Sequence, residues 1–216
     1  QYRVPMPPKA PTFSVASSTE PGTIANVIRF DQTSEQQNDP HQGLPDLAGY
    51  RVYRSSRYSF GPWEKIAEFE TRDNRYFDPD SASYSIVDNN VALGNDYYYS
   101  VTAYDAGHDA WAIDPAVAVP PLESSIFANK KSVPFSTTSQ PTVKELNRVA
   151  VVPNPFYRHS GLPTAGAENR IQFVNVPQRC TIRIYTVRGD LVKTIEHFDV
   201  NRGSVSWNQI SDNGQY

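Results

Sequence analysis

What this chain lacks narrows it first. A single cysteine, Cys180, stands among 216 residues, so no disulfide forms within the chain, and its place in a strand pattern suits a small buried hydrophobe. No apolar run is long enough to span a bilayer, and no signal peptide is visible. The net charge is −3 with no block of like charge, which gives neither a nucleic-acid footprint nor a basic membrane-docking patch. There are four histidines, His41, His108, His159 and His197. None has a second His, Cys or carboxylate at a metal-ligand spacing, which argues against zinc. No serine sits in a Gly-x-Ser-x-Gly elbow, and Cys180 has no base beside it. The expectation is a chain without catalytic residues, metal ligands or a nucleic-acid partner.

What is present is aromatic and punctuated. The chain holds 13 Tyr, 10 Phe, 18 Pro and 11 Gly with no long stretch at helical spacing, the pattern of an all-β chain of short strands with little helix. Residues 94–105, GNDYYYSVTAYD, are the most regular stretch. Period-two alternation puts Tyr97, Tyr99, Val101 and Ala103 on one face and Tyr98, Ser100, Thr102 and Tyr104 on the other. Further strands are predicted at 12–18 and at 22–31, where Ile24, Ile28 and Phe30 share a face with Asn26 as the awkward member. LAGYRVYRSS follows, with Tyr50 and Val52 inward and Arg51 and Tyr53 outward, then WEKIAEFE, then a strand opening at Tyr84 and Ile86. Residues 122–135 complete a set of seven. Between them, residues 31–46 are too hydrophilic to bury. After a polar stretch at 132–147, Ile171 and Phe173 mark a strand, CTIRIYTVRGDLVKTIEH a hairpin turning at Arg188-Gly189-Asp190, and GSVSWN another strand.

The first block, with Leu93 ahead of the turn and Tyr97 as corner residue, resembles fibronectin type III domains over about 120 residues, chiefly through LAGYRVYRSS and the Tyr97 strand. It has Phe30 where many such domains carry a Trp. In that family the corner tyrosine is buried with its hydroxyl bonded to upstream backbone, so the resemblance implies Tyr97 inside and Tyr98 outside. The second block resembles the C-terminal sorting domains of proteins exported by the type IX secretion system and the immunoglobulin-like domain of flagellar hook-capping proteins. The matching pieces are VVPNPF at 151–156, the IRIYTVRGDLVKTI hairpin, Trp207 after Gly203, and the Asp212-Asn213-Gly214 turn, together about 70 residues. These families continue past that turn into a final strand, so the resemblance implies a second domain incomplete at its C-terminus.

The expected architecture is therefore two tandem immunoglobulin-like or fibronectin type III-like β-sandwiches. Residues 1–11 form a Pro-rich linker, 12–138 the first domain, 139–147 a linker and 148–216 the incomplete sorting or anchoring domain. Starting at Gln1, the chain reads as a piece of something longer or a mature N-terminus. By resemblance it is the non-catalytic end of a secreted or cell-surface bacterial protein. Its partners are export or surface-assembly proteins, upstream domains and neighbouring subunits. Two alternatives stay open: a subunit of an extracellular filament, or a carbohydrate-binding accessory region of a secreted hydrolase.

Candidate positions follow from chemistry. Tyr97, Leu93, Trp207 and Gly189 are structural. Trp111, Trp63 and Tyr53, if exposed together, make a flat platform for sugar rings. Asp73, Asp78, Asp80 and Asp88 offer hard oxygen ligands suited to calcium, but no EF-hand spacing is present and Asp is also a standard turn residue. His108 lies between Asp105 and Asp109 and reads as part of a solvated loop. The tripeptide at 188–190 spells an integrin-binding motif, yet a glycine there is what a tight turn with positive φ demands.

Overall fold

The computed structural model describes residues 4–20, 23–39, 43, 45–111, 113–141, 146–157 and 170–210. His41, His159 and the turn at 212–214 lie outside them. The fold is all-β: no α-helix forms among the described residues, and one 3-10 turn at Thr33–Gln36 accompanies the strands. The strands are β1 (Phe13–Ser17), β2 (Asn26–Asp31), β3 (Leu47–Ser55), β4 (Glu64–Glu70), β5 (Phe77–Asp78), β6 (Ser83–Asp88) and β7 (Asp96–Asp105), then β8 (Phe135–Ser136), β9 (Ala150–Val152), β10 (Ile171–Val174), β11 (Arg179–Tyr185), β12 (Leu191–Phe198) and β13 (Ser204–Trp207). The chain divides into two compact units. One takes Gln1–Ala16, Val27–Asp88 and Tyr97–Phe135; the other takes Ser17–Asn26, Asn89–Asp96 and Ser136–Tyr216.

The first unit is built on two four-stranded sheets, ordered β1-β2-β6-β5 and β4-β3-β7-β8. Alternation along β3 sends Tyr50 and Val52 into the core, both fully buried, while Arg51 and Tyr53 stay half-exposed. Rings from the two sheets meet there. Phe30 of β2 lies 4.9 Å from Tyr50 of β3 and 4.9 Å from Tyr84 of β6, and Tyr84 in turn lies 5.6 Å from Phe69 of β4. Such edge and offset contacts each add about 0.5–1.5 kcal/mol beyond area burial.

The loop after β2 is less hydrophilic in place than in sequence. Ser34 is buried, and Glu35 accepts a hydrogen bond from the Tyr84 hydroxyl, which itself accepts from the Arg72 amide at 2.7 Å. Burial, and then the bond to Glu35, pushes the Tyr84 pKa well above the ordinary phenol value.

Three local expectations need correction. Tyr98 is buried (7 % exposed) along with Tyr97 (6 %). Strand β7 runs between β3 and β8 with both faces covered, so its polar-apolar alternation does not track exposure. Ile24 is exposed and precedes β2, whereas Asn26 is fully buried. Its Nδ2 donates to Thr137 Oγ1 at 3.0 Å, which offsets part of the cost of burying an amide. Residues 122–135 do not make a regular strand. The amides of Ala103 and Val101 donate to the side chains of Ser124 (2.9 Å) and Asn129 (3.3 Å). Side-chain acceptors thus replace part of the backbone ladder, leaving the two-residue β8 and one bridge between Tyr104 and Glu123.

The second unit contains the antiparallel sheet β13-β10-β9 and the hairpin β11-β12. Ala25, Val174 and Val176 are fully enclosed in it among the described residues. Much of the remaining burial is polar. Asp96, buried at the start of β7, accepts hydrogen bonds from Arg170 Nη2 (2.7 Å) and from the Ser136 hydroxyl. The Gly203 amide donates to Ser139 O at 2.8 Å, and a Cβ on Gly203 would stand 2.6 Å from Gln140 O. Glycine is required there by close backbone approach.

Candidate functional site

Among the described residues Arg54 is the best-buried cation of the first unit, and the strand pattern of β3 puts it there. It shares the inward parity of Tyr50 and Val52. Its Nη1 bonds both Asp88 carboxylate oxygens at 2.9 and 3.1 Å, and Nη2 reaches Glu64 at 2.6 Å. The Tyr99 hydroxyl donates to Asp88 at 2.8 Å. Burial pulls the Arg54 pKa down, but the bonds to Glu64 and Asp88 outweigh it and the net shift is upward. The guanidinium also lies 5.7 Å from the Tyr97 ring centre. Asp88 is therefore committed to a cation of the chain itself. Asp73 is held by Arg75 (2.6 Å), and Asp78 by Ser81 (2.7 Å) and the Asp80 amide (3.0 Å). Among the described residues no group of three His, Cys, Asp or Glu is placed to hold a metal ion.

A second polar cluster covers the outer face of β3 and β7. Glu123 accepts from Thr102 Oγ1 (2.6 Å), Tyr53 (2.8 Å) and Arg51. Arg51 also bonds Glu68 (2.9 Å), which is paired with Lys65, and lies 4.4 Å above the Tyr104 ring. Burial and the bond to Glu123 raise the Tyr53 pKa to about 12. Burial raises the Glu123 pKa, but the bonds from Thr102, Tyr53 and Arg51 prevail and hold it below the ordinary value of 4.5; those from Lys65 and Arg51 do the same for Glu68. A carboxyl whose folded pKa is depressed contributes stability above its unfolded pKa, lost as pH falls through the folded pKa. Thermal stability is expected to hold above the ordinary glutamate range and fall below it. Glu123→Gln should flatten that acid limb, and an unchanged slope would show that the cluster is solvated.

The three aromatics of the supposed sugar platform sit in different surroundings. Tyr53 belongs to the Glu123 cluster. Trp63 follows the turn at Gly61 and packs on it, and Trp111 lies with Pro5, Met6, Asp46 and His108. The sequence-based reading passed over the stacked pair Tyr58 and Phe60, whose rings lie 4.9 Å apart and 2° from parallel, with both side chains exposed. His108 does more than fill a solvated loop. Its Nε2 pairs with Asp46 at 2.9 Å, and its backbone bridges Val119.

In the second unit, Trp207 is half-buried with its indole N–H donating to Ile210 O at 2.9 Å, and Leu93 is half-buried. Cys180 is half-buried rather than enclosed, and burial followed by Glu196 raises its pKa. Gly189 has φ 93° at the hairpin tip with nothing within 4 Å of an added Cβ. The turn is closed by Thr186, whose amide donates to Asp190 O at 2.9 Å and whose hydroxyl accepts from the Asp190 amide at 3.1 Å. No family model matches the sequence, and no curated protein matches it.

The hairpin is the surface that stands out. Tyr185, Val187, Leu191 and Phe198 are exposed along it, Val187 completely. Arg179, Arg183 and Arg188 alternate with them and make no ion pair among the described residues. Exposed aromatics beside arginine are the composition of binding hot spots.

Proposed function

We propose that the chain is a non-catalytic structural and anchoring region of a larger secreted or cell-surface bacterial protein, a fibronectin type III-like spacer followed by a sorting-type module recognised by export or assembly proteins. The exposed hairpin β11-β12 carries this reading. It offers apolar and arginine side chains to a partner. The antiparallel sheets of the first unit and their interleaved aromatic core support the spacer role, which needs a stiff body rather than a site. Such a module works through its interfaces.

The test is a reporter enzyme joined ahead of residues 1–216 in a bacterium that has a type IX secretion system. Export to the cell surface or medium is expected, with loss on Val187→Asp together with Phe198→Asp. A reporter that stays in the periplasm with the intact chain would end this reading.

A further inference from the structure

Among the described residues, strand β11 has one edge paired with β12 and nothing paired with the other. The Asp199 amide donates to Gln178 O at 3.0 Å, which makes Gln178 and Asp199 a hydrogen-bonded pair in the register that continues as Arg179 with Phe198 and Ile182 with Ile195. In an antiparallel ladder such pairs alternate. The backbones of Cys180, Ile182 and Ile184 therefore face β12, and those of Arg179, Thr181, Arg183 and Tyr185 face outward. Among the described residues no hydrogen bond reaches those outward groups. The strand is seven residues long and holds no proline, its only guards being the two arginines and the register shift at Ile184–Tyr185. A two-stranded hairpin alone is marginal in water and gains most from a further strand.

We propose that this edge pairs with the same edge of a second copy of the chain, antiparallel and centred on Ile182, giving a four-stranded sheet across a two-fold axis. The side chains select the register. With Ile182 opposite its own copy, Cys180 meets Ile184, Thr181 meets Arg183 and Arg179 meets Tyr185, so apolar faces apolar and no like charges oppose. Centring on Thr181 sets Arg179 against Arg183. Centring on Arg183 sets that arginine against itself. Directly opposed like charges destabilise a ladder, and centring nearer either end shortens the pairing. The contact is isologous and closes on itself. It rests on the geometry of β11 and not on the export reading above.

Because Ile182 hydrogen-bonds toward β12, it occupies a non-hydrogen-bonded position of the new ladder, where side chains approach most closely and a disulfide fits. In a Cys180→Ser background, Ile182→Cys should give a disulfide-linked dimer on mild oxidation of the full chain. Arg183→Cys in the same background, opposite Thr181, should not. Light scattering of the unmodified chain should show the mass doubling as concentration rises. Thr181→Arg, which opposes Arg183 in both halves, should keep the monomer mass with an unchanged circular dichroism spectrum. A monomer at every concentration, or equal cross-linking at 182 and 183, would overturn the proposal.

Discussion

Replacing Asp88 with alanine is expected to cost about 3–5 kcal/mol, the loss seen when one member of a buried ion pair is removed. Asp88 is 5 % exposed and Arg54 6 %. Without the carboxylate, the guanidinium loses its buried counter-ion and keeps the partly exposed Glu64, and the Tyr99 hydroxyl loses its 2.8 Å acceptor. The price of desolvating a cation then falls on the folded state alone. Denaturant titration followed by tryptophan fluorescence measures it. Arg54→Leu combined with Asp88→Leu should recover most of the loss, since well-packed apolar side chains often replace a buried pair without penalty. A cost for Asp88→Ala below about 1 kcal/mol, the range of exposed pairs, would show that water reaches the site.

Asp96→Ala should have the next largest effect, about 2–4 kcal/mol for a buried carboxylate bonded to a partly exposed arginine and a hydroxyl. The loss belongs to the second unit. Amide exchange is the sensitive readout. The Gly94, Thr137 and Gly203 amides, bonded to Thr137 O, Asn95 O and Ser139 O, should lose protection, while that of Val101 in β7 should stay. Asp96→Asn keeps an acceptor for Ser136 but removes the charge facing Arg170, and should fall between wild type and alanine. Equal loss of protection at all four amides would mean that Asp96 supports global rather than local stability.

The strands were legible wherever one face is buried and the other wet. The alternation in LAGYRVYRSS placed Tyr50 and Val52 inside, and carrying the same parity one step further reaches Arg54. A positive charge at an inward position needs a buried acid, and that was the missed signal for the Arg54–Asp88 pair. Tyr98 failed for the opposite reason. A central strand covered on both faces buries nearly every residue, in β7 all but the half-buried Tyr104, so period two carries little information there. The edge formed by 122–135 was misread because side chains of Ser124 and Asn129 took the place of backbone acceptors, which no hydrophobic pattern records. Asn26 looked awkward because its partner, Thr137, lies 111 positions away. The platform of Tyr53, Trp63 and Trp111 was a guess about proximity, which composition does not supply.

That separation also bears on how the chain emerges from the ribosome. Asn26 leaves the exit tunnel 111 residues ahead of Thr137, and Asp96 leaves 74 ahead of Arg170. Until then these two bonds cannot form, so the strands that carry Asn26 and Asp96, β2 and β7, begin in segments that must stay wet during synthesis. Non-local closure of this kind is slow. The nascent chain thus passes through a period in which much of its aromatic core is already synthesised while the last polar clasps are not, the interval in which a holding chaperone would matter most.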